Sequence, residues 1–450
     1  MDSSIVISGN SKEMIKEAVF QETQTVPVLT GESVLGVTAK ASVVSVETMD
    51  GEVRASVKTV YTVIKTDGEG NVYAEKSEGE SQRTIAANGL TATDKVCLTA
   101  RVTECEKISS EPLRVRATVS VSGWFIKKND ITVLDASTEG LKCKTEKTYI
   151  ENVLPLSDNT TTFTFSDEAR MPILRVLDYD ASVTVDSVYP SVGTYRADGE
   201  ITLRIVAIAD NGSFFTQSFT HPINLENADE FLTESMRMEV EGKIKSAEYT
   251  VTESDKRIVI SDVTVGLCGV ALEEKETERV TDVYSIRNEI VKEELTATVN
   301  SRFCLRSVRE KATATVGAVG GVREALCVLT PCVSVTGRMS DEGITVEGVV
   351  GAAVLYADEN GATQTQTGEI PFVSHLGGEY PCDTVFAPEV EVTTINVRPR
   401  GSSDLELTAE LLVTVRGAQS KMIKVISGVQ VGEEKAEEDF AICAYVVKKR

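Results

Sequence analysis

The sequence has few of the residues that enzymes most often use near neutral pH. It contains two histidines, His221 and His375, in 450 residues. Histidine is the usual general base of catalytic triads and a frequent metal ligand. The two histidines also sit at non-equivalent places in the internal repeat described below. We therefore predict that the chain is not an enzyme and has no catalytic, cofactor-binding or metal-binding residues.

Excess positive charge and long apolar runs are also missing. Asp and Glu number 69 against 46 Lys and Arg, which gives a net charge of −23. A chain this acidic repels phosphate backbones and anionic lipid, so nucleic acid and membrane surfaces are poor partners. Residues 348–357 form the longest apolar candidate, well short of the roughly 20 residues that cross a bilayer. Because the N-terminus shows no basic segment leading into an apolar one, we expect no signal peptide and a cytoplasmic location.

The cysteines form no recognisable framework. There are nine, an odd number, and no two are spaced as CxxC. Cys97 and Cys105 would lie roughly 26 Å apart in one extended strand, far beyond disulfide reach. Cys327 and Cys332 could approach each other only across a tight turn. We predict free thiols that serve as small apolar side chains, with no structural disulfide.

Strand patterns fill most of the chain. Val and Thr are abundant, and apolar residues alternate with polar ones, as half-buried antiparallel strands require. The clearest alternating sets are Leu113, Val115, Ala117, Val119 and Val121; Met236, Met238, Val240 and Ile244; and Leu405, Leu407, Ala409, Leu411, Val413 and Val415. Two short segments, 12–20 and 229–235, are predicted helices, the first with Ser11 as its N-cap.

A repeat organises these strands. Three copies of a strand pair joined by an acidic glycine turn cover residues 51–73, 198–215 and 341–362. The turn glycines Gly70, Gly212 and Gly361 are spaced 142 and 149 residues apart. Asn-Gly dipeptides in the second and third turns favour hairpins, because both residues tolerate positive φ. The pattern predicts an all-β chain of tandem antiparallel β-sandwich or open-barrel domains.

The repeat also predicts the domain boundaries and one buried face. The predicted parts are an N-terminal segment 1–24, repeat one 25–125, a connector 126–164, repeat two 165–270, a connector 271–314, repeat three 315–418, and an acidic tail 419–450. We expect the connectors to add strands to neighbouring domains or to lie across the joints. In repeat three, if Ile344 starts on the buried side, one core face carries Val346, Val350, Val354 and Tyr356.

Four further residues have chemistry that could form a site, and the sequence predicts a structural role for each of them. Asp178, Asp180 and Asp186 are read as solvated strand ends, since a metal site would require carboxylates that converge in space. Trp124 is read as core or domain-joint packing rather than as a ligand platform.

The third copy resembles the SPOCS domain, found in spore-coat-associated proteins of endospore-forming Firmicutes. The shared features are the strand at 343–356, the acidic turn at 357–361 and Ile370-Pro371-Phe372. The connector segment 281–285, TDVYS, resembles a stretch that the family shows between domains. The likeness extends over most of the chain.

The resemblance implies a non-enzymatic scaffold or adaptor in endospore envelope assembly, located in the mother cell at the forespore surface. Residues 439–449 resemble the lead-in to a C-terminal LysM module, whose Gly-Asp-Thr-Leu-Trp stretch would follow; the sequence stops at Arg450. In the family, that module contacts a SpoIVA-like coat-basement protein. The residues that would carry this contact are not in the sequence, so the contact is not assigned to any residue here, and the resemblance implies protein partners in general. The sequence does not define an oligomeric state.

Two other classes of function fit the composition less well. One is an extracellular or cell-wall-associated β-sandwich adhesin, which the missing signal peptide and nine cysteines disfavour. The other is a hydrolase with paired carboxylates in a cleft, for which no Asp or Glu pair has a recognisable setting.

Overall fold

A computed structural model of the protein describes residues 4–285, 288–340, 342–378 and 385–434. The protein is all-β, as predicted, with a strand content of 81% and no helix in these ranges. Nothing in the described ranges could therefore cross a bilayer as a long apolar helix.

Within the described ranges, twenty strands build three successive domains. The first contains β1 (Ser4–Val26), β2 (Ser33–Met49), β3 (Glu52–Thr66), β4 (Val72–Ala86), β5 (Val96–Ser110) and β6 (Leu113–Leu134). The second contains β7 (Lys142–Pro155), β8 (Asn159–Glu168), β9 (Ile173–Ser191), β10 (Thr194–Ala209), β11 (Phe214–Ala228), β12 (Arg237–Val251) and β13 (Ile258–Tyr284). The third contains β14 (Asn288–Gly317), β15 (Glu324–Val328), β16 (Cys332–Ser340), β17 (Gly343–Ala357), β18 (Thr363–Gly377), β19 (Val385–Arg400) and β20 (Asp404–Glu434).

Each domain is a sandwich of two antiparallel sheets. The first sheets have the orders β2-β3-β4, β9-β10-β11 and β15-β17-β16 with β18 on β17. The second sheets are β1-β6-β5, β12-β13-β7 with β8 on β13, and β14-β20-β19. A separate apolar core fills the space between the two sheets of each domain. The sheets are not closed into barrels, so the sandwich is the architecture formed.

The predicted buried face of repeat three is confirmed. Val346, Val350, Val354 and Tyr356 of β17 are all at most 1% exposed and belong to one core. Ile344 begins the strand on the same side and is also buried. The period-two alternation therefore set the face of this strand correctly.

The repeat turns form as hairpins, although with a different backbone from the one expected. Gly70, Gly212 and Gly361 have φ of 85°, 81° and 82°. Among the described residues, those with positive φ are all glycines, so Asn211 and Asn360 do not adopt the left-handed conformation. The turns therefore need one glycine each, at the position where a side chain would be strained.

All three first sheets carry a β-bulge at an equivalent leucine. The register skips Leu35 in β2, Leu177 in β9 and Leu326 in β15. These leucines are spaced 142 and 149 residues apart, the same spacings as the turn glycines. A bulge turns the extra side chain out of the ladder, and here it points away from the sandwich core.

The bulges contribute to a single apolar cluster between the domains. Its centre holds Ile64, Val206 and Leu355, which repeat at the same two spacings and are each 0% exposed. Around them pack Leu35, Val72 and Ala74 from the first domain; Leu177, Ile208 and Phe214 from the second; and Leu326, Cys327, Leu329 and Ala353 from the third. We call this set the central apolar cluster. The three domains therefore meet around an approximate threefold arrangement.

Beyond the sandwiches, six strands continue as three two-stranded ribbons. Residues 4–15 of β1 pair with 123–134 of β6, β7 pairs with 270–284 of β13, and the start of β14 pairs with the end of β20. Side chains from all three ribbons pack together: Ile131, Val133, Ile150, Val299, Ile423 and Val425 in one cluster, and Leu134, Val280, Val283 and Ile426 in another. We call this assembly the ribbon bundle.

Both predicted helices are wrong. Residues 12–20 lie in β1, where a bulge between Ile15 and Ala18 places two apolar residues three apart on the same core. Apolar residues three positions apart also share one face of a helix, so this bulged strand has the sequence pattern of a helix. Residues 229–235 form two successive turns, closed by Leu232 N–H to Asp229 and Met236 N–H to Thr233.

Several predicted boundaries also change. The N-terminal segment 1–24 supplies most of β1, which completes the second sheet of the first domain. The connectors 126–164 and 271–314 hold β7, part of β8, most of β14 and the ends of β6 and β13. They therefore supply both the ribbon bundle and strands of the second and third sandwiches. Residues 419–434 are not a tail, because they pair with β14 along the last part of β20. The acidic segment 435–450 lies outside the described residues.

Replacing Val350 by aspartate tests the core of the third domain. Val350 is 0% exposed, and an unpaired carboxylate there should lower the free energy of unfolding by several kcal/mol. Urea denaturation would measure the loss. The matched control is Val373→Asp on neighbouring β18, where the side chain is 54% exposed and the change should cost little. Equal effects of the two substitutions would contradict the assignment of faces.

Candidate functional site: buried charges between the domains

The two histidines are not brought together. His221 lies on β11, where its Nε2 is 2.9 Å from Asp167 Oδ2 and its ring stacks on Phe165 at 4.0 Å. His375 lies on β18 of another domain, with Nδ1 3.0 Å from Thr345 Oγ1. Each histidine ring has a hydrogen-bond partner within its own domain. The geometry gives no shared site.

Trp124 packs at a domain joint, as predicted. It is 1% exposed and belongs to a cluster with Val153 of β7 and Val270 of β13. The Lys12 ammonium lies 4.3 Å from the centroid of its ring. A cation over an indole face is favourable when both are removed from water. Trp124 therefore marks the joint between the first and second domains.

The interpretation of Asp178 as a solvated strand end is wrong. Its side chain is 2% exposed, because the β9 bulge turns this part of the strand toward the meeting point of the three domains. Asp180 is partly exposed, and Asp186 faces solvent. The prediction therefore fails for Asp178, whose neighbours include residues of the other two repeats.

Asp178 is the centre of what we call the central charge cluster: Lys40, Asp178, Asp180, Arg204 and Thr330. Lys40 of the first domain is 3.7 Å from Asp178 and 3.0 Å from Asp180. Arg204 of β10 is 3.5 Å from Asp178. Thr330 of the third domain donates its N–H, at 3.2 Å, and its hydroxyl to the same carboxylate. All three domains therefore contribute to the compensation of one buried charge.

Burial alone would raise the pKa of Asp178. The Lys40 ammonium, the Arg204 guanidinium and the Thr330 hydrogen bond outweigh it and hold the pKa below its ordinary value. Burial likewise lowers the pKa of Lys40, but Asp180 and Asp178 together leave it raised. Both groups are therefore ionised at neutral pH, and their charges hold the domains together.

A second group of buried charges lies where the sandwiches join the ribbon bundle. We call it the joint charge cluster: Lys12, Glu239, Glu241, Lys243, Glu389 and Arg416. Lys12 of β1 is 3.8 Å from Glu239 of β12. Arg416 of β20 is 2.5 Å from both Glu241 of β12 and Glu389 of β19. The positive and negative side chains again come from three domains.

Burial has different results for the members of this cluster. It raises the pKa of Glu239 to about 7, against a weaker opposing effect of Lys12. It lowers the pKa of Lys12, although Glu241 and Glu239 oppose the shift. For Glu389, Arg416 and Lys243 overcome the burial effect and keep the pKa low. Glu239 is therefore the weak point of the cluster, because it is buried without full compensation.

Beside this cluster two cysteines from different domains are in contact. Cys97 Sγ on β5 and Cys268 Sγ on β13 are 2.7 Å apart. Lys243 Nζ is 2.9 Å from Cys97 Sγ. The six described cysteines are free: Cys97, Cys105, Cys143, Cys268, Cys327 and Cys332. The predicted state of Cys304, Cys382 and Cys443 lies outside what is described.

Sequence reasoning missed these groups for a physical reason. Cys97 and Cys268 are 171 residues apart and occupy unrelated places in their repeats. The same holds for Lys12 of β1 and Glu239 of β12, which meet only across the joint between the first two domains. No spacing within a single strand signals a contact that the docking of domains creates.

Several buried charged side chains lie within 4 Å of an opposite charge from another domain. No group of three or more His, Cys, Asp or Glu residues that could hold a metal ion is present in the described part of the chain. A small cavity of about 20 Å³ between the ribbons, lined by Ile7, Asn10, Ile131, Ile150 and Val299 among others, has room for about one water molecule.

Comparisons with protein-family models, curated proteins and solved structures find no match.

Asp178→Asn tests the central charge cluster. The amide leaves the buried Arg204 without its counter-charge, while Lys40 keeps Asp180, so the free energy of unfolding should fall by about 3–5 kcal/mol. Urea denaturation followed by the fluorescence of Trp124, the single tryptophan, would measure it. Asp186→Asn on the same strand is the control and should change stability by no more than about 0.5 kcal/mol. A comparable loss in the control would show that the burial of Asp178 is not the cause.

Glu239→Gln tests the joint charge cluster through pH. In the unfolded chain a glutamate has a pKa of about 4.3, so between that pH and about 7 the folded protein holds a proton that the unfolded chain releases. This contribution to stability is complete below about pH 4 and is lost as the pH rises through about 7. Between pH 5 and pH 8, wild type should lose up to about 3 kcal/mol relative to Glu239→Gln. Denaturation curves at both pH values, with exposed Glu410→Gln as the control, would measure the difference, and parallel pH profiles of wild type and Glu239→Gln would contradict it.

Proposed function

We propose that the protein is a non-enzymatic scaffold or adaptor in endospore envelope assembly, acting through protein–protein contacts of its tandem β domains. The observation that supports this most is the central charge cluster. Its Lys40, Asp178 and Thr330 come from three domains, and their ion pair and hydrogen bonds connect the domains at one point. A scaffold needs binding surfaces at fixed distances, and internal ion pairs between domains maintain such distances. The SPOCS resemblance supplies the cellular setting of the proposal.

The sheets offer an edge on which a partner strand could add. β4, β11 and β18 are equivalent strands, each paired to the middle strand of its first sheet. Pro222 in β11 and Pro371 in β18 occupy the same register, opposite Glu200 and Val349. Proline lacks an N–H and is tolerated where that N–H would face away from the neighbouring strand. A partner strand that approaches β11 or β18 from outside would therefore lack one backbone N–H donor at the proline.

β4 keeps the backbone N–H that proline removes from the other two edges. At the equivalent register, opposite Lys58, β4 has Glu80 in place of proline. The charged residues along β4 reduce unspecific pairing between copies of the chain. A partner strand can still bind through the backbone, with its side chains providing specificity. We propose β4 as the edge that receives a protein partner by strand addition.

Gene deletion and complementation test both parts of the proposal. In an endospore-forming host, deletion should lower the yield of heat-resistant spores and detach the coat, and the wild-type gene should restore both. Glu80→Pro should fail to restore them, since it removes the outward N–H at a register where the other two domains already hold proline. Glu80→Ala is the matched control, because it removes the same carboxylate, which accepts a hydrogen bond from Ser56, and keeps the N–H.

The outcomes separate the claims. Normal coats and normal spore yield after deletion would contradict the scaffold role. Full restoration by Glu80→Pro would contradict the docking edge and leave the scaffold role standing. Fractionation of sporulating cells should place the protein in the mother cell. Recovery from the supernatant of vegetative cultures would favour the extracellular adhesin instead.

A further inference from the structure

The contact between Cys97 and Cys268 differs from the surroundings of the other described cysteines. The two sulfur atoms are 2.7 Å apart, and a disulfide requires about 2.05 Å, so a movement of well under 1 Å would join them. Cys97 is buried, whereas Cys268 keeps partial exposure. They lie in a cluster with Trp124, Val153 and Val270 at the joint of the first two domains. The fold therefore holds two thiols in place for a bond between domains.

Lys243 makes the two thiols unequal. Its ammonium lies 2.9 Å from Cys97 Sγ and 3.1 Å from the Leu98 carbonyl oxygen. The S–H of Cys268 also points at Cys97 Sγ. A sulfur that accepts from an ammonium and a thiol is favoured as thiolate, the form that reacts with oxidants. Cys268 remains the protonated partner, available for a second step.

The acid–base behaviour of the thiols agrees with this geometry. The Cys268 hydrogen bond is the largest cause that lowers the pKa of Cys97, and together with Lys243 it overcomes burial and brings the pKa to about 6. The same hydrogen bond, with burial, raises the pKa of Cys268. Burial raises the pKa of Cys327 and Cys332 to about 12. Those two thiols are protonated and inert at neutral pH.

We propose that Cys97 and Cys268 form a redox-sensitive pair that a small peroxide, such as hydrogen peroxide, converts to a disulfide between the first and second domains. The Cys97 thiolate attacks one peroxide oxygen, the O–O bond breaks, and the departing hydroxide takes a proton to become water. Cys97 is then a sulfenic acid. The Cys268 sulfur attacks Cys97 Sγ, and the sulfenic hydroxyl leaves as a second water with the Cys268 proton. Two thiols are oxidised and one peroxide is reduced.

The disulfide would connect β5 to β13 and join two residues that are 171 positions apart in the sequence. Such a link constrains the unfolded chain strongly, so the oxidised protein should unfold at a higher temperature than the reduced one. A thiol reductant should reverse the change, since thiol–disulfide exchange requires only access to one sulfur. Cys268 provides that access, because it is partly exposed.

The test uses the full chain, reduced and freed of reductant, then exposed to hydrogen peroxide. Free thiols are alkylated at intervals, and peptides are mapped by mass spectrometry without reduction. The expected result is a cross-linked peptide pair holding Cys97 and Cys268, a loss of two alkylated thiols, and a faster reaction than that of Cys143. Treatment with dithiothreitol should restore both thiols and the lower melting temperature.

Three variants make the outcome decisive. Cys268→Ser should stop the reaction at the Cys97 sulfenic acid, which dimedone traps, and Cys97→Ser should abolish the cross-link. Cys143→Ser, a half-buried cysteine in the ribbon bundle, is the control and should leave the cross-link intact. A Cys97 that stays reduced while other thiols react, or a cross-link that forms between chains instead of within one, would overturn the proposal.

Discussion

The Asp178 carboxylate lies in the interior of the molecule, and its charge is compensated by side chains from three different domains. A buried carboxylate without partners costs several kcal/mol. Any movement that separated Lys40, Arg204 or Thr330 from it would therefore incur that cost. The relative positions of the three sandwiches follow from this constraint, since a hinge motion between domains would expose one partner and leave the others uncompensated. The joint charge cluster applies the same constraint at a second place.

Apolar packing and buried charge have different roles in this assembly. Ile64, Val206 and Leu355 repeat in register, so the three domains present similar apolar side chains at equivalent positions. Apolar contacts are not directional, so the central apolar cluster favours association without fixing which domain lies where. The charges do not repeat: at the spacings of 142 and 149, Asp178 corresponds to Gly36 and Cys327. This asymmetry supports a single arrangement of three similar domains.

Local pattern predicted much of the fold. The alternation in β6, β17 and β20 gave the buried faces, because each strand pairs within its own sandwich and a period of two needs no other information. The pattern failed at residues 12–20, where the β1 bulge places Ile15 and Ala18 three apart on one core. It failed again at 419–434, since the pairing partner in β14 lies more than a hundred residues away. Of the candidate site, the sequence predicted no catalytic or metal-binding residue, and it gave no sign of the two charge clusters or of the thiol pair.

The sequence by itself determined the all-β class, the three repeats, the turn glycines and the inward face of the strands with clear alternation, because these depend on residues close together in the chain. Only the tertiary structure decided that Asp178 is buried, that Lys12 lies over Trp124 and that Cys97 meets Cys268. The contacts of Asp178 and Cys97 join different domains, whereas Lys12 and Trp124 lie on paired strands of the first domain where it meets the second. The surroundings of a side chain at such a joint are set by how whole sheets dock. Desolvation depends on every neighbour within a few ångströms, and neighbours that are 100 to 300 residues distant leave no local pattern.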